Sequence, residues 1–227
     1  IAITDNVSVM RNGEMVAQLK TSETNQEELA ELMVGRKVLL RVDKTVASPG
    51  EDILKVDLLN VKDHIGVSRV RDLSFSVRGG EILGIAGVSG NGQTELLETL
   101  TGIRPFQGGS IQIGEQKIDS GLKLDASVMR RHGVGHVPED RQRMGLVPSF
   151  VAKENAILGY HREDAYNRTI EMDEDYILKE CAAKMKEYDV RPANPNLQTS
   201  LFSGGNQQKL VVMREMSRDP RLLIVGQ

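Results

Sequence analysis

Residues 84–102 read GIAGVSGNGQTELLETLTG, and this stretch decides the fold. The apolar segment from Ile82 to Ala86 predicts a strand that leads into a glycine-rich turn, and the residues after the turn predict a helix. Gly87, Gly90 and Gly92 have the spacing of a phosphate-binding loop. Glycines allow successive backbone N–H groups to converge on a phosphate, and the helix that follows adds its positive end.

One position of this loop departs from the usual pattern. Gln93 takes the place of the lysine in G-x-x-x-x-G-K-[ST], whereas Thr94 keeps the hydroxyl that contacts magnesium. An ammonium about 4 Å from a phosphate oxygen contributes on the order of 4 kcal/mol at an effective dielectric of about 20, which a neutral amide does not recover. From this stretch alone, an ordinary strand–turn–helix without a nucleotide remains the alternative. The candidate nucleotide-binding residues of the loop are Gly87, Ser89, Gly90, Asn91, Gly92, Gln93, Thr94 and Glu95, with Thr94 as a weak magnesium ligand.

The composition narrows the class of protein. The net charge of the 227 residues is −3, so no basic surface argues for nucleic acid. The single cysteine, Cys181, lies in a helical pattern and predicts a buried thiol in a reducing compartment. The sequence has no apolar run of about 18 residues and no signal peptide, so we expect a cytosolic chain. Because the chain starts at Ile1 without a methionine and stops at Gln227 directly after an apolar strand, we expect a piece of a longer polypeptide.

The first part of the chain predicts a hairpin and a helix. Residues 7–19 form two strands around Asn12-Gly13, a strong turn signal. A capping box of Thr24 and Glu27 opens the helix, and Gly35 ends it. A polar stretch at 41–52 contains Ser48-Pro49-Gly50, and we place a linker at residues 46–52.

From Ile53 onward, strands alternate with helices, which predicts an α/β domain. The predicted strands are 53–59, 70–77, the two arms of a hairpin over 110–118, 134–137 and 222–225, the last of which is typical of a strand buried on both faces. The predicted helices are 92–101, 126–132, 152–160, 173–188 and 205–218.

A second candidate anion site lies at Phe202 to Lys209, FSGGNQQK. Ser203 is placed to cap the next helix, while Gly204 and Gly205 leave backbone N–H groups exposed at its start. Taken alone, a serine-glycine-glycine sequence is often only a helix cap. Here it follows the glycine loop by about 110 residues and precedes a buried strand by about 20.

This wording and spacing resemble the ATP-binding subunits of ABC transporters, and most of all those of simple-sugar and nucleoside importers, in which two ATP-binding domains are fused. The resemblance covers nearly the whole chain and includes GVSGNGQTE and, at 135–147, GHVPEDRQRMGLV. It implies a P-loop NTPase fold of the ABC ATPase type, with an antiparallel β subdomain and a helical subdomain, truncated at its C-terminal end. Residues 1–45 then resemble the closing hairpin and helix of a first domain, and 53–227 a second domain that ends after the Walker B strand.

The resemblance also implies the cofactors and partners. In this family ATP and Mg²⁺ lie between two domains, held by the phosphate loop of one and the serine-glycine-glycine signature of the other, and hydrolysis drives membrane-spanning permease subunits. The expected partners are those permease subunits, the first ATP-binding domain of the same chain and, indirectly, a substrate-binding protein, with no nucleic acid. The expected location is cytoplasmic, peripheral on the inner face of the plasma membrane. The implied signature residues are Ser203, Gly204, Gly205, Asn206 and Gln207.

Several positions depart from the family's pattern. Besides Gln93, Glu139 stands near the usual magnesium-contacting glutamine, Gly226 replaces a metal-ordering aspartate, and Gln227 replaces the catalytic glutamate. No aromatic residue between Ile53 and Leu73 is available to stack on adenine. Since phosphoryl transfer depends on positioning and charge, we expect this half to hydrolyse little ATP and to lend its intact signature to ATP on the first domain.

Two other interpretations remain. The chain is a non-hydrolysing structural or regulatory domain, or, less well supported, an ABC-type protein acting on nucleic acid. The charged residues Glu139, Asp140 and Arg141 form either a solvated loop or a docking surface for a partner helix. The histidines at 132, 136 and 161 lack metal spacing.

Overall fold

The computed structural model describes residues 3–11, 13–35, 47–88, 90–121 and 125–226. The chain divides into two compact units, Ile1–Ala47 and Ser48–Gln227.

The first unit is a β-hairpin followed by a helix. Strand β1 (Asn6–Arg11) pairs antiparallel with β2 (Glu14–Lys20), which confirms the predicted hairpin, and α1 covers Gln26–Val34. Asn12 of the predicted turn lies outside the described residues. The predicted Thr24–Glu27 capping box is wrong by one residue, because Asn25 caps α1 and its side chain accepts a hydrogen bond from Glu28 N at 2.8 Å. Gly35 ends α1 with a positive φ, as predicted.

The described residues of the second unit form two sheets. The first is antiparallel, in the order β4-β3-β5-β6, and the second is a parallel pair, β7-β8. The strands are β3 (Asp52–Lys62), β4 (Ser68–Arg78), β5 (Gly108–Ile113), β6 (Gln116–Asp119), β7 (Val134–Val137) and β8 (Leu222–Val225). The α-helices of this unit are α2 (Gln93–Leu100), α3 (Ala126–Arg131), α4 (Ala152–Ala156), α5 (Glu174–Glu187) and α6 (Gly204–Met216).

The apolar side chains of this unit collect in two main cores. One joins the antiparallel sheet to α2, α3, β7 and β8 around residues such as Leu59 and Ile111, which have no exposed surface. The other lies among α4, α5 and α6 around Met185 and Leu210. Cys181 belongs to this second core as a buried thiol, and burial raises its pKa to about 12. The antiparallel and helical subdomains expected for the second domain are therefore present.

One predicted strand is absent. Glu81–Val88 forms no strand in the described structure, and the side chains of Ile82 and Ile85 are 85% and 53% exposed. An apolar run favours extended backbone, but a strand also requires a hydrogen-bonding neighbour, and β7 pairs with β8 instead. The prediction that β8 is buried on both faces is also wrong, because Val225 is 56% exposed while Leu222 and Ile224 are buried.

In the part of the chain that the structure describes, no helix combines the length and hydropathy that a membrane span requires.

Candidate functional site

The glycine loop turns the chain sharply into α2. Asn91 N donates to Val88 O at 3.1 Å, and Gly90 and Gly92 have φ of +86° and +98°. A Cβ on Gly92 would lie 2.6 Å from the carbonyl oxygen of Arg69 in β4, so this position needs glycine for both its conformation and its space. Ser89, another candidate of the loop, lies outside the described residues.

The side chain of Gln93 lies across the loop. Its amide nitrogen occupies the space that a Cβ on Gly87 would take. Thr94 is exposed in the first turn of α2, and Glu95 in the same turn is half-buried. The loop therefore leads into a helix N-terminus, the kind of element that favours an anion, and carries a neutral amide where the usual pattern has an ammonium.

An ion pair that the sequence did not indicate joins the β3–β4 turn to Arg69 of β4, beside the loop. Asp63 Oδ2 accepts from Arg69 Nε at 2.8 Å, and Arg69 Nη1 donates to Gly90 O at 3.4 Å. Asp63 Oδ1 also accepts from the backbone N–H groups of Ile65 and Val67. Burial alone would raise the pKa of Asp63, but the hydrogen bonds from Arg69, Val67 and Ile65 outweigh it and hold that pKa below its usual value.

A groove of about 400 Å³ brings two predicted site residues together. Thr94 from α2 and Glu139 from the segment after β7 line the same groove, together with apolar and charged neighbours. Those neighbours are Leu97, Glu98, Ile103, His136, Pro138, Asp140, Arg143 and Met144. Within the described residues, no group of three or more His, Cys, Asp or Glu side chains is arranged to hold a metal ion.

Gly226 packs tightly beside Glu139. Gly226 N donates to Val137 O at 2.8 Å, and a Cβ on Gly226 would lie 2.8 Å from Glu139 N. A side chain at 226 therefore requires the Glu139 backbone to move. Gln227, which the resemblance predicts at the catalytic glutamate position, lies outside the described residues.

The signature residues begin α6. Ser203 is the N-cap by backbone conformation, and its hydroxyl accepts from Asn206 Nδ2 at 2.9 Å instead of from a backbone N–H group. Ser203, Gly204 and Gly205 are exposed. Gln207 is buried, and its amide nitrogen donates to Thr199 O and Phe202 O.

A short π-helical turn, Arg141–Gly145, connects the groove to the signature helix. Arg141 Nη2 lies 2.6 Å from the place of a Cβ on Gly204, and Gln142 Nε2 donates to Gln207 Oε1 at 3.2 Å. Asp140 caps this turn by accepting from the backbone N–H groups of Gln142 and Arg143. The structure thus places the charged segment between α2 and α6. No hydrogen bond joins the described loop residues directly to Ser203–Gln207.

A buried polar network that the sequence did not indicate fixes the far end of α6. Glu215 accepts from Tyr160 Oη at 2.8 Å, from His136 N at 3.2 Å and from Arg214 Nε at 2.7 Å. Arg214 also donates to the carbonyl oxygen of Gly145 at 2.8 Å. Burial lowers the pKa of His136 and raises that of Tyr160. A Glu after an Arg in a helix is a common surface pattern, so only the structure identifies these charges as buried.

Comparison with known families and curated proteins gives consistent matches. A family model described as ABC transporter matches residues 70–225. The chain is 41% identical over 225 residues to the guanosine import ATP-binding protein NupO of Bacillus subtilis, covering 99% of this chain and 44% of that protein. It is 37% identical over 230 residues to the glucose import ATP-binding protein TsgD13 of Haloferax volcanii, covering 100% of this chain and 41% of that protein. The chain thus spans less than half the length of these relatives.

Solved structures match the fold. A nucleotide-free ATP-binding cassette from an ABC transporter superposes with a TM-score of 0.61 at 18% identity, over 78% of this chain and 69% of that one. A dimeric post-hydrolysis state of a cassette bound to ADP and phosphate gives 0.61 at 20% identity, over 77% and 73%. These likenesses confirm the predicted fold class.

Proposed function

Because the chain belongs to the ABC transporter family of ATP-binding proteins, we propose that it is part of an ATP-binding subunit that powers import of a simple sugar or a nucleoside. The observation that carries this proposal is the match over nearly the whole chain to import proteins, at 41% identity in one case. The names of these relatives include guanosine, nucleoside, glucose and ribose import. They support a substrate class rather than one substrate.

The loop fits the phosphates of ATP. The positive φ values of Gly90 and Gly92 and the start of α2 suit an anion, and Thr94 and Glu139 offer oxygen atoms to Mg²⁺ from one groove. Bound Mg²⁺ would neutralise charge on the phosphates. Gly226 contributes no carboxylate, so the ion would be held by fewer protein ligands than is usual in the family.

The two candidate sites of this chain would have different roles. Gln93, Gly226 and Gln227 remove the lysine, the metal-ordering carboxylate and the general base from the phosphate site, so this site hydrolyses little or no ATP. Ser203, Gly204 and Gly205 are exposed at the start of α6, where they would contact ATP held by a first ATP-binding domain of the same longer chain. In this division of labour, the present half completes a site that its partner domain operates.

The charged segment after β7 suits the membrane partner. It carries Asp140, Arg141 and Arg143, which have charges of both signs, and the partly exposed apolar side chain of Met144. Such a surface accepts a short amphipathic helix from a membrane-spanning permease subunit. The subunit would then lie on the cytoplasmic face of the membrane, with a substrate-binding protein acting indirectly through the permease.

A non-hydrolysing structural or regulatory role describes this half alone and is compatible with the proposal for the whole protein. Action on nucleic acid is disfavoured by the net charge of −3.

The Ser203→Arg variant of the full-length subunit, assembled with its permease, tests the proposal. An arginine at the signature serine blocks contact with ATP across the domains, so we expect ATP turnover and uptake of labelled sugar or nucleoside to fall about tenfold or more. Ser200→Arg is the matched control, because Ser200 is also exposed and lies three residues earlier. Unchanged turnover in Ser203→Arg would contradict the division of labour, and absence of sugar and nucleoside uptake by the wild-type complex would contradict the proposed function.

A further inference from the structure

We propose that Arg69 supplies the positive charge that the glycine loop lacks, and that its guanidinium binds the phosphate chain of a nucleotide held by this loop. The inference rests on the proposed binding of ATP in this family's phosphate loop. It adds a binding residue from β4, outside the loop itself.

The loop needs a charge from elsewhere in the structure. Residues 84–95 contain no lysine or arginine, and Gln93 folds its neutral amide over Gly87. Backbone N–H groups alone carry only partial charges, whereas a triphosphate carries several negative charges. A cation close to the loop would therefore increase the affinity of the loop for phosphate groups.

Arg69 is placed to be that cation. The backbone of β4 touches the loop, because Arg69 O lies 2.6 Å from the place of a Cβ on Gly92. The side chain reaches the same turn, where Nη1 contacts Gly90 O at 3.4 Å. Both glycines belong to the N–H cradle, so the guanidinium lies at its edge.

Asp63 orients this guanidinium and leaves some of its N–H donors available for a phosphate. The carboxylate of Asp63 is 3% exposed and binds Nε at 2.8 Å, which fixes the orientation of the planar group. Asp63 also accepts from two backbone N–H groups, so its negative charge is shared among three donors. The Arg69 side chain is 38% exposed, and its hydrogen bonds to described residues use Nε and Nη1, which leaves Nη2 for a phosphate. A guanidinium with free donors suits phosphate oxygens, which it binds in pairs.

Hydrogen–deuterium exchange of the full-length protein, read on peptides from residues 84–100, tests this proposal at this loop alone. The probes are Mg²⁺-ATP and inorganic tripolyphosphate, and the measured quantity is the concentration that gives half-maximal protection. For Arg69→Gln we expect this concentration to rise about tenfold or more for both probes, because a charge-assisted contact is lost. Arg69→Lys restores part of the affinity. Arg71→Gln is the matched control, since Arg71 is an exposed arginine two residues along β4, and it leaves both concentrations unchanged.

Exchange without ligand separates a binding role from a supporting one. A binding role predicts that residues 84–100 exchange equally fast in the wild type and in Arg69→Gln when no ligand is present. Faster exchange in the ligand-free variant, or equal shifts in Arg69→Gln and Arg71→Gln, would overturn the proposal. Absence of protection by millimolar ATP in the wild type would also overturn it, and the uptake experiment with Ser203→Arg would still decide the proposed function separately.

Discussion

At the scale of single residues, a comparison of Gly92 with Gly66 distinguishes the cost of a left-handed backbone from the cost of steric crowding. Gly92 and Gly66 have similar positive φ values of +98° and +86°, but a Cβ meets Arg69 O at 2.6 Å on Gly92 and nothing within 4 Å on Gly66. Gly66→Ala should cost about 1–2 kcal/mol through the left-handed conformation alone. Gly92→Ala should cost about 1–3 kcal/mol more, because β4 or the loop must move. Urea unfolding measures both free energies, and equal losses would contradict the close approach.

Single residues also show what the sequence can predict about the site. The glycine spacing of the loop and the serine that begins α6 are local patterns, and the structure places both at helix starts. Arg69 contacts Gly90, which lies 21 residues further along the chain. Its ion pair with Asp63 depends on how β3 and β4 pair. No local pattern encodes that contact, so it becomes visible only in the structure.

At the scale of secondary-structure elements, the buried hydrogen bonds that Glu215 accepts from Tyr160, His136 N and Arg214 fix the end of α6. We expect them to contribute strongly to the free energy of unfolding. The side chains of Arg214 and Glu215 are 5% and 3% exposed. Glu215→Gln leaves the Arg214 charge buried without its carboxylate, so we expect the free energy of unfolding to fall by about 3–5 kcal/mol. Tyr160→Phe removes one hydrogen bond and should cost about 1 kcal/mol.

Glu187→Gln at the exposed end of α5 is the control for the charge change and should leave stability within about 0.5 kcal/mol. Chemical denaturation measures all three variants. A loss for Glu215→Gln no larger than that for Tyr160→Phe would contradict a buried charge pair.

Elements were predicted well where their signals are local and poorly where they depend on a distant partner. The hairpins and the end of α1 at Gly35 follow from adjacent residues. The strand expected at Ile82 to Ala86 failed because extended, apolar backbone is a property of the segment, whereas ladder pairing is a property of its neighbours. The N-cap of α1 was misplaced because Thr24 and Asn25 are both good capping residues.

At the scale of the whole molecule, the two units differ in how much apolar surface they bury. The second unit contains both main cores, whereas Val9 and Thr21 are the buried residues among the described part of the first unit. Met10, Met15 and Met33 of the first unit are more than half exposed, and α1 buries none of its residues. A two-stranded hairpin with so little burial is marginally stable by itself.

This difference predicts unequal protection of hydrogen bonds that have the same geometry. Val7 opposite Leu19 in the first unit and Leu54 opposite Ile113 in the second are both antiparallel pairs. Amides around Leu54 should exchange only through opening of the whole unit, because their strand lies in the middle of the sheet above a packed core. Amides of the hairpin should exchange through local opening, at least about a hundredfold faster, since little apolar contact resists it. Native-state hydrogen exchange of residues 1–227 measures both sets at once, and equal protection of the two ladders would mean that the hairpin draws stability from contacts outside its own unit.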